Sequence, residues 1–356
     1  MRLASIVGAR PQFIKAALLS RELRKENEEI LIHTGQHYDY ELSKIFFSQM
    51  EIPEPDYNLG AGSGSHSQQT ARMLIRIERV LLEIKPDLVI VYGDTNTTLA
   101  GALVSAKLKI PLAHIEAGLR SFILRMPEEI NRRITDHISS LLFCPTKRAV
   151  ENLRREGIRD GVYEVGDVMY DALLYYLPLA EESSHILETL KLEPKGYSLI
   201  TIHREENTEN LENLKSIVEI IESIPHPLVF PVHPRTHNAL KELGLGFKNP
   251  YLKITEPVSY LDMLNLEKNA RFILTDSGGV QKEACWLRVP CLTLREETEW
   301  PETIITGWNV LVGRDKERVK RVIDKGFKPS TDASPLFGNG KTSKRIAQIL
   351  RSYSKL

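Results

Sequence analysis

The segment TDSGGVQKEA, residues 275–284, carries groups that could bind a phosphate. It follows the apolar run ARFIL and leads into a segment with helical spacing. A helix that begins near Gly279 leaves its first backbone N–H groups unpaired and carries a partial positive charge at that end. Ser277, Gly278 and Gly279 therefore predict a phosphate site, where glycines admit the anion and the serine adds a donor or cap. An ordinary N-capped helix accounts for Ser-Gly-Gly equally well.

Glu283 lies about one turn inside the same predicted helix. A carboxylate so near a phosphate would repel it, so we expect Glu283 to face a neutral group that is rich in hydroxyls. A ribose diol is such a group, and an acidic residue binds it in dinucleotide folds. The alternative is a solvent-exposed glutamate that binds nothing.

Other polar side chains follow apolar runs in both halves of the chain. In open α/β sheets, ligands bind beyond the carboxyl ends of the strands, so this distribution predicts a cleft between two domains. The candidates at these ends are Arg10, Lys15, Gln36, His37, Asp94, Glu116, His203, Arg204, Asn207 and His233. Taken singly, each has a structural alternative, such as surface charge for Arg10 and Lys15 or helix capping for Asp94. A turn role for Glu116 and a structural role for His203 are further alternatives.

Glu128 is a candidate from a helix start. The segment MPEEINRR, residues 126–133, opens a helix with a proline and two glutamates. The helix dipole alone would favour acidic residues there, which is the structural alternative for Glu128.

Short runs of Val, Ile and Leu alternate with helical segments along the whole chain. Such runs fit strands buried on both faces of a parallel sheet. Two consecutive series of this kind predict an α/β fold of two doubly wound domains, each with a parallel sheet. We place the domains at 1–168 and 169–340, and expect the terminal helix 341–356 to pack back on the first domain.

The amino-acid composition indicates which partners and which kinds of site to expect. The 356 residues include 47 basic and 47 acidic side chains, so the formal net charge is +0. We therefore expect neither a nucleic-acid nor a membrane partner. The three cysteines are scattered and the histidines lack metal-site spacing, which predicts reduced thiols, no bound metal and a cytoplasmic protein.

The motifs in order resemble the non-hydrolysing UDP-N-acetylglucosamine 2-epimerases. They run nearly end to end as GARPQFIK, TGQH, KPDLVIVYGDTNT, HIEAGLRS, PEEINR, HREEN, TDSGGVQKEA, REETEWPET and FGNGK. The resemblance implies two Rossmann-like, doubly wound domains facing a cleft, the GT-B arrangement. It further implies a homodimer and a UDP-sugar substrate. It also implies that no metal or nicotinamide cofactor is required.

The resemblance also implies roles for individual residues. Arg10 and Lys15 would hold the diphosphate from the first domain. Ser277, Gly278 and Gly279 would hold it from the second, with Glu283 on the ribose. The remaining residues implied to contact UDP are His203, Arg204, Asn207 and His233. The implied catalytic candidates are Asp94, Glu116, Glu128 and His203.

Two departures from the family pattern stand out. Trp300 occupies a position where the family often has arginine, which removes one phosphate contact. Gln36, His37 and Gln69 match the site where bacterial members bind a second substrate molecule as an activator. Asp39 and Gln68 replace residues of that site, so activation by substrate stays open.

The implied reaction inverts carbon 2 of the sugar. UDP leaves carbon 1 while a base removes the carbon-2 proton, which gives 2-acetamidoglucal, and UDP returns after protonation from the opposite face. We favour Asp94 and Glu116 as the acid–base pair, with Glu128 as the rival, and place His203 near the departing diphosphate. The alternatives are a hydrolysing 2-epimerase, a GT-B glycosyltransferase and a sensor that binds a UDP-sugar without catalysis.

Overall fold

The computed structural model describes residues 1–36, 52–327, 329 and 334–353. The chain divides into two compact units, of which unit 1 is Met1–Leu174 with Pro335–Leu356 and unit 2 is Tyr175–Ser334. Each unit is built on one parallel sheet flanked by helices. The prediction of two doubly wound α/β domains with parallel sheets is confirmed.

The described strands form a seven-stranded sheet in unit 1 and a six-stranded sheet in unit 2. The first has the order β3-β2-β1-β4-β5-β6-β7 and the second β10-β9-β8-β11-β12-β13. The strands are β1 (Arg2–Val7), β2 (Glu28–His33), β3 (Tyr57–Asn58), β4 (Leu88–Tyr92), β5 (Leu112–Ile115), β6 (Leu141–Cys144), β7 (Val162–Glu164), β8 (Ser198–Thr201), β9 (Leu228–Pro231), β10 (Leu252–Thr255), β11 (Ile273–Thr275), β12 (Cys291–Thr293) and β13 (Asn309–Leu311).

Helices connect nearly all consecutive strands in the described residues, as parallel pairing requires. They are α1 (Arg10–Leu23), α2 (His66–Ile84), α3 (Asn96–Lys107), α4 (Pro127–Ile138), α5 (Lys147–Arg155), α6 (Val168–Ser183), α7 (Ile186–Thr189), α8 (Glu205–Thr208), α9 (Leu211–Glu222), α10 (Pro234–Glu242), α11 (Tyr260–Asn269), α12 (Gly278–Trp286), α13 (Pro301–Ile305), α14 (Lys316–Lys325) and α15 (Thr342–Tyr353). A short 3-10 helix covers Ser334–Phe337. None of the helices in the described ranges is long and apolar enough to span a membrane.

Helix α2 shows how the sequence builds the core of unit 1. Its apolar residues recur at helical spacing, and Met73, Ile77 and Leu81 are buried against Val89 and Val91 of the sheet. Ser65 caps the start by accepting a hydrogen bond from the Gln68 backbone N–H.

The terminal helix α15 packs against α1. Its first turn is capped by the buried carboxylate of Asp171, which accepts from the backbone N–H groups of Thr342 at 3.0 Å and Ser343 at 2.7 Å.

Strand order places the candidate residues within each unit. In unit 1 the order reverses between β1 and β4, and in unit 2 between β8 and β11. At such a switch point the loops leave the sheet in opposite directions, which opens a crevice beyond the carboxyl ends of the strands. Asp94 and Glu116 follow β4 and β5 in unit 1, while His203 and Ser277 follow β8 and β11 in unit 2.

Candidate active site

Lys15 and Glu116 form a buried ion pair at the switch point of unit 1. The ammonium group of Lys15, from α1, contacts Oε2 of Glu116 just beyond β5. Glu116 has a φ of 73°, in a left-handed region that non-glycine residues seldom occupy. Gly93 has a φ of 62°, and a Cβ there would lie 2.9 Å from Lys15 Nζ. The backbone at both strand ends is therefore shaped around this pair.

Asp94 is held by two residues of α4. Arg132 Nη1 donates to its carboxylate at 2.8 Å, and Asn131 Nδ2 donates to its backbone carbonyl at 2.9 Å. The Arg132 side chain is almost wholly buried, whereas the Asp94 carboxylate is partly exposed. Neither Asn131 nor Arg132 was among the predicted site residues, although both stand within the motif PEEINR.

Glu128 and its neighbour Glu129 differ in burial because consecutive helix positions face different directions. Glu129 is fully buried and accepts from the backbone N–H and the hydroxyl of Ser121. Burial alone would raise the pKa of Glu129, but the Ser121 hydrogen bonds and the Arg132 charge lower it below its ordinary value. Glu129 is thus a structural carboxylate, and partly exposed Glu128 is the one that could meet a ligand.

A buried polar network lies beneath the Asp94 loop. His114 contacts the Gly93 carbonyl through Nε2 and Asp136 through Nδ1, both at 2.7 Å. Asp136 also accepts from Arg120 at 2.6 Å. Burial would raise the pKa of Asp136, but His114 and Arg120 hold it below its ordinary value. Both ring nitrogens of His114 lie within hydrogen-bonding distance of oxygens, so the ring links Asp136 to the Gly93 carbonyl next to Asp94.

The predicted activator residues lie in a chain of amide hydrogen bonds. Gln36 accepts from the Thr97 backbone N–H at 3.0 Å, and Gln69 accepts from Asn96 Nδ2 at 3.0 Å. Asn96 in turn accepts from Asn131 at 3.4 Å. Gln36 and Gln69 therefore connect to the residue that holds Asp94. His37 lies outside the described residues, and the role of this group as an activator site stays a prediction.

Asp276 organises the strand ends of unit 2. This fully buried carboxylate accepts from the backbone N–H groups of His203 at 3.2 Å and Arg204 at 3.0 Å, and from Asn207 Nδ2 at 2.9 Å. It thereby fixes the first residues of the motif HREEN. Asp276 was not among the predicted site residues, although its position before Ser277 at a strand end could have marked it.

The exposed edge of this cluster carries His203 and Arg204. The His203 and His233 rings lie 6.0 Å apart between centroids. Burial lowers the pKa of His203, and Arg204 and Arg235 lower it further against the opposing charge of Asp276. Arg204 Nη2 donates to Glu299 at 2.9 Å, which aims the guanidinium.

Helix α12 begins at Gly278 with Ser277 at its N-cap position, but the Ser277 hydroxyl makes no capping hydrogen bond. The start of this helix is thus not an ordinary side-chain cap. A Cβ on Gly278 would lie 3.3 Å from Trp300 Nε1 and 3.7 Å from Arg204 Nη2. The glycine, the indole and the guanidinium therefore surround the first turn, where an anion is predicted.

The Trp300 ring lies against a buried cation, the ammonium group of Lys282. Lys282 is only 1% exposed, and its Nζ lies 3.8 Å from the centroid of the Trp300 ring. A cation at this distance over an indole face is attracted by the ring quadrupole. The position that often holds arginine in the family thus holds a neutral ring backed by a lysine.

Glu283 is buried, with 5% exposure, and accepts a hydrogen bond from the Tyr260 hydroxyl at 3.0 Å. The solvent-exposed alternative for Glu283 is therefore wrong. Arg10 stands at the first position of α1 and Gly279 at the second position of α12. The ligand roles predicted for all these residues remain predictions.

Comparison with known proteins places the chain among nucleotide-sugar enzymes. The family model described as UDP-N-acetylglucosamine 2-epimerase matches residues 21–351. A UDP-N-acetylglucosamine 2-epimerase homolog of Methanococcus maripaludis is 55% identical, over 99% of this chain and 100% of that protein. The crystal structure of Methanocaldococcus jannaschii UDP-GlcNAc 2-epimerase in complex with UDP-GlcNAc and UDP is 50% identical with a TM-score of 0.92, over 99% and 100% of the two chains. The UDP-2,3-diacetamido-2,3-dideoxy-D-glucuronate 2-epimerase of Pseudomonas aeruginosa is 46% identical, over 98% and 99%.

Proposed function

Because this chain belongs to the UDP-N-acetylglucosamine 2-epimerase family, we propose that it interconverts UDP-N-acetylglucosamine and UDP-N-acetylmannosamine without net hydrolysis. The observation that carries the proposal is the pair of carboxylates at neighbouring strand ends of unit 1. Asp94 is held by Arg132, and Glu116 is held by Lys15. A protein that only binds an anionic ligand gains nothing from carboxylates held in this way.

We assign the UDP moiety of the substrate to unit 2. The first turn of α12 and the Arg204 guanidinium offer positive potential to the diphosphate, and Glu283 offers a carboxylate to the ribose. His203, kept neutral by its surroundings, is suited to donate a hydrogen bond to a phosphate oxygen without adding charge. These contacts strengthen as negative charge grows on the departing UDP, so they stabilise the transition state.

We assign the chemistry at carbon 2 of the sugar to the carboxylates of unit 1. Asp94 and Glu116 form the acid–base pair on the two faces of carbon 2, and each can serve as base in one direction of the reversible reaction. Glu128 on α4 is the rival to either. The Lys15–Glu116 pair suits an elimination step. When Glu116 takes up the carbon-2 proton it loses its charge, and the Lys15 ammonium then favours the negative charge that appears on UDP.

The test is a proton NMR time course of the purified protein with UDP-N-acetylglucosamine in D2O. We expect UDP-N-acetylmannosamine that carries deuterium at carbon 2, with no lasting free UDP. Accumulation of UDP and free N-acetylmannosamine would establish the hydrolysing alternative instead. Absence of product and of exchange, with UDP binding intact, would leave the glycosyltransferase or the sensor.

Variants separate the roles of the carboxylates. We expect Asp94→Asn and Glu116→Gln to lower turnover by at least about 100-fold, the scale of general acid–base catalysis, while UDP still binds to unit 2. Near-normal turnover in either variant would remove that residue from the mechanism and favour Glu128.

A second substrate class has a specific observation in its favour. The Pseudomonas diacetamido-glucuronate enzyme is 46% identical to this chain, close to the 48% of a Methanococcus maripaludis UDP-N-acetylglucosamine 2-epimerase. The same NMR assay with UDP-2,3-diacetamido-2,3-dideoxy-glucuronate compares the two substrates by kcat/KM. We propose the N-acetylglucosamine substrate, together with a cytoplasmic homodimer, and a higher kcat/KM for the uronate would reverse that choice of substrate.

A further inference from the structure

The backbone on both sides of Gly93 is held by buried side chains from other elements. Before it, the Tyr92 carbonyl accepts from Gln12 Nε2 at 2.8 Å and from the Thr98 hydroxyl at 2.6 Å. After it, the Gly93 carbonyl lies 2.7 Å from Nε2 of His114. All three of these side chains are buried. The start of the turn from β4 to α3 is therefore fixed by groups that water does not reach.

Asn131, on α4, holds the rest of this turn. Its Nδ2 donates to the Asp94 carbonyl at 2.9 Å and to Oδ1 of Asn96 at 3.4 Å. Asn96 is the first residue of α3, so these two bonds fall on either side of Thr95. Both asparagines are buried. One amide group that binds a turn at two separate points restricts that turn more than a single hydrogen bond does.

The Asp94 carboxylate is the part of this turn that remains partly exposed. Arg132, the neighbour of Asn131 on α4, donates to that carboxylate at 2.8 Å. The two neighbours thus act on different parts of Asp94. Arg132 places a positive charge on the carboxylate, whereas Asn131 binds the main chain. A substitution of Asn131 can therefore displace the carboxylate without changing the charge beside it.

We propose that Asn131 is a positioning residue, which fixes the main chain of Asp94 so that its carboxylate meets carbon 2 of the sugar in reactive geometry. The inference rests on the proposed function, since it requires Asp94 to act in proton transfer. Proton transfer demands close approach, and a displacement of about 1 Å can cost about 100-fold in rate. Loss of Asn131 should therefore lower kcat and leave KM nearly unchanged, because an interaction that matters in the transition state is weakened.

The first variant is Asn131→Leu, which keeps a similar shape and removes the donor. We expect kcat for epimerisation, measured by proton NMR, to fall by at least about tenfold, with KM for UDP-N-acetylglucosamine within about threefold. The affinity for UDP, followed by the tryptophan fluorescence of unit 2, should not change. A normal kcat, or a loss that lies in KM and UDP affinity, would overturn the proposal.

Asn27 offers a matched control in the same unit. Its Nδ2 donates to the Leu23 carbonyl at 3.0 Å, just before β2 begins and so at the opposite end of the sheet from Asp94. Asn27→Leu therefore removes the same kind of hydrogen bond away from the turn after β4. Its kcat should stay within about twofold of the unmodified value, because Asp94 does not move.

A double-mutant cycle with Asp94→Asn separates positioning from a general loss of structure. If Asn131 acts through the Asp94 carboxylate, adding Asn131→Leu to Asp94→Asn should lower the residual kcat by less than about threefold. The carboxylate whose position matters is then already gone. A fall by the same factor in both backgrounds would mean that the two residues act independently, and it would overturn the proposal.

Failure of the proposed function has a different signature in the same cycle. Near-normal turnover in Asp94→Asn would remove Asp94 from proton transfer, and the positioning role of Asn131 with it. Low turnover in Asp94→Asn with normal turnover in Asn131→Leu would overturn the positioning role alone. Should Asn131→Leu fail to fold, Asn131→Ala takes its place in each measurement, because the smaller side chain fits the same space and lacks the donor.

Discussion

Lys15 carries its ammonium group into a buried position beside Glu116. Substitution of Lys15 by methionine keeps much of the side-chain volume but leaves the glutamate charge without compensation. Breaking a buried ion pair from one side typically costs about 3–5 kcal/mol. We therefore expect Lys15→Met to lower the free energy of unfolding of unit 1 by about 3 kcal/mol. Far-UV circular dichroism in urea would measure this.

The double variant Lys15→Met/Glu116→Gln is the matched control for that prediction. It removes both charges and should recover most of the lost stability, since the penalty lies in the orphaned charge. Both proteins should be nearly inactive as epimerases. Equal unfolding free energies for Lys15→Met and the unmodified protein would contradict the buried pair.

At the residue scale, the sequence identified candidate side chains better than their partners. Lys15 was predicted to contact a phosphate, whereas in the structure it contacts Glu116. The sequence does not predict this pair, because it depends on how α1 lies against the end of β5. Glu128 and Glu129 are adjacent in the sequence, and the direction in which each faces on α4 decides which one is buried. Asp276 had no predicted role. Its place before Ser277 marks it as a strand-end residue, but the backbone N–H groups that it accepts from belong to another strand end, far away in the sequence.

At the scale of elements, the first turn of α12 is the feature on which UDP binding depends. A methyl group at Gly278 would lie 3.3 Å from Trp300 Nε1, closer than most such contacts, so the indole would have to shift. We expect Gly278→Ala to weaken UDP binding by at least tenfold, because an added Cβ crowds the backbone donors and displaces Trp300. All three tryptophans, Trp286, Trp300 and Trp308, lie in unit 2, so intrinsic fluorescence can follow the titration.

A substitution elsewhere in unit 2 controls for general effects on that unit. Gly244, just after α10, has open space around a built Cβ but a φ of 63°, so Gly244→Ala strains the backbone without touching the α12 site. Gly244→Ala should bind UDP normally. Normal UDP affinity in Gly278→Ala as well would remove the α12 start from the diphosphate site.

Helix α15 depends on a cap that comes from far away in the sequence. Asp171 accepts hydrogen bonds from the N–H groups of Thr342 and Ser343, so Asp171→Ala leaves two donors of a buried helix start unsatisfied. Loss of a cap costs about 1–2 kcal/mol. We expect early exchange of the α15 amides, measured by hydrogen exchange with mass spectrometry, while α9 in unit 2 stays protected. Unchanged protection of α15 would mean that its packing on α1 suffices without the cap.

Element type and position could be predicted because local signals agree with the fold. The apolar spacing over residues 66–84 predicts a helix, and α2 covers the same residues, because this spacing and the Ser65 cap act within a single segment. The apolar run YSLITIH, residues 197–203, predicts a strand. The observed strand is Ser198–Thr201, shorter because the residues after it turn toward Asp276. Strand β3, only Tyr57–Asn58, was missed because two residues at a sheet edge make no apolar run.

At the scale of the whole molecule, the order of the strands in each sheet could not be predicted from local sequence patterns. The strand order of the first sheet reverses between β1 and β4. Lys15, after β1, therefore contacts Glu116, after β5, although 101 positions separate them in the sequence. The α/β class could be predicted from the alternation of strands and helices. No local sequence pattern, however, indicates that β1 pairs with β4 as well as with β2. Function was nonetheless accessible, since the resemblance covers motifs along the whole chain and the family model matches residues 21–351.

The dependence of the free energy of unfolding on pH should reveal the ionisation of Glu267, a residue of α11 whose full burial raises its pKa. In the unfolded chain this carboxyl titrates near its ordinary pKa of about 4.3, whereas in the folded protein its pKa is raised well above that value. Between the two pKa values the folded state binds more protons than the unfolded state, so the free energy of unfolding falls as the pH rises. One such group contributes a slope of at most about 1.4 kcal/mol per pH unit. The contribution is complete below the unfolded pKa and is lost as the pH rises toward the folded value.

Glu267→Gln removes the titrating group and keeps its shape, so its unfolding free energy should depend less on pH from about 5 upward. Urea unfolding followed by tryptophan fluorescence, which reports on unit 2, would give the two profiles. We expect them to converge near pH 5 and to separate with rising pH, with Glu267→Gln the more stable protein at pH 8. Because the Glu283 charge raises the pKa of Glu267, the folded pKa read from the curve belongs to the two carboxyl groups together. Parallel profiles would mean that Glu267 ionises with the same pKa in both states. This would contradict the prediction, which rests on the full burial of Glu267 without a hydrogen-bond partner among the described residues.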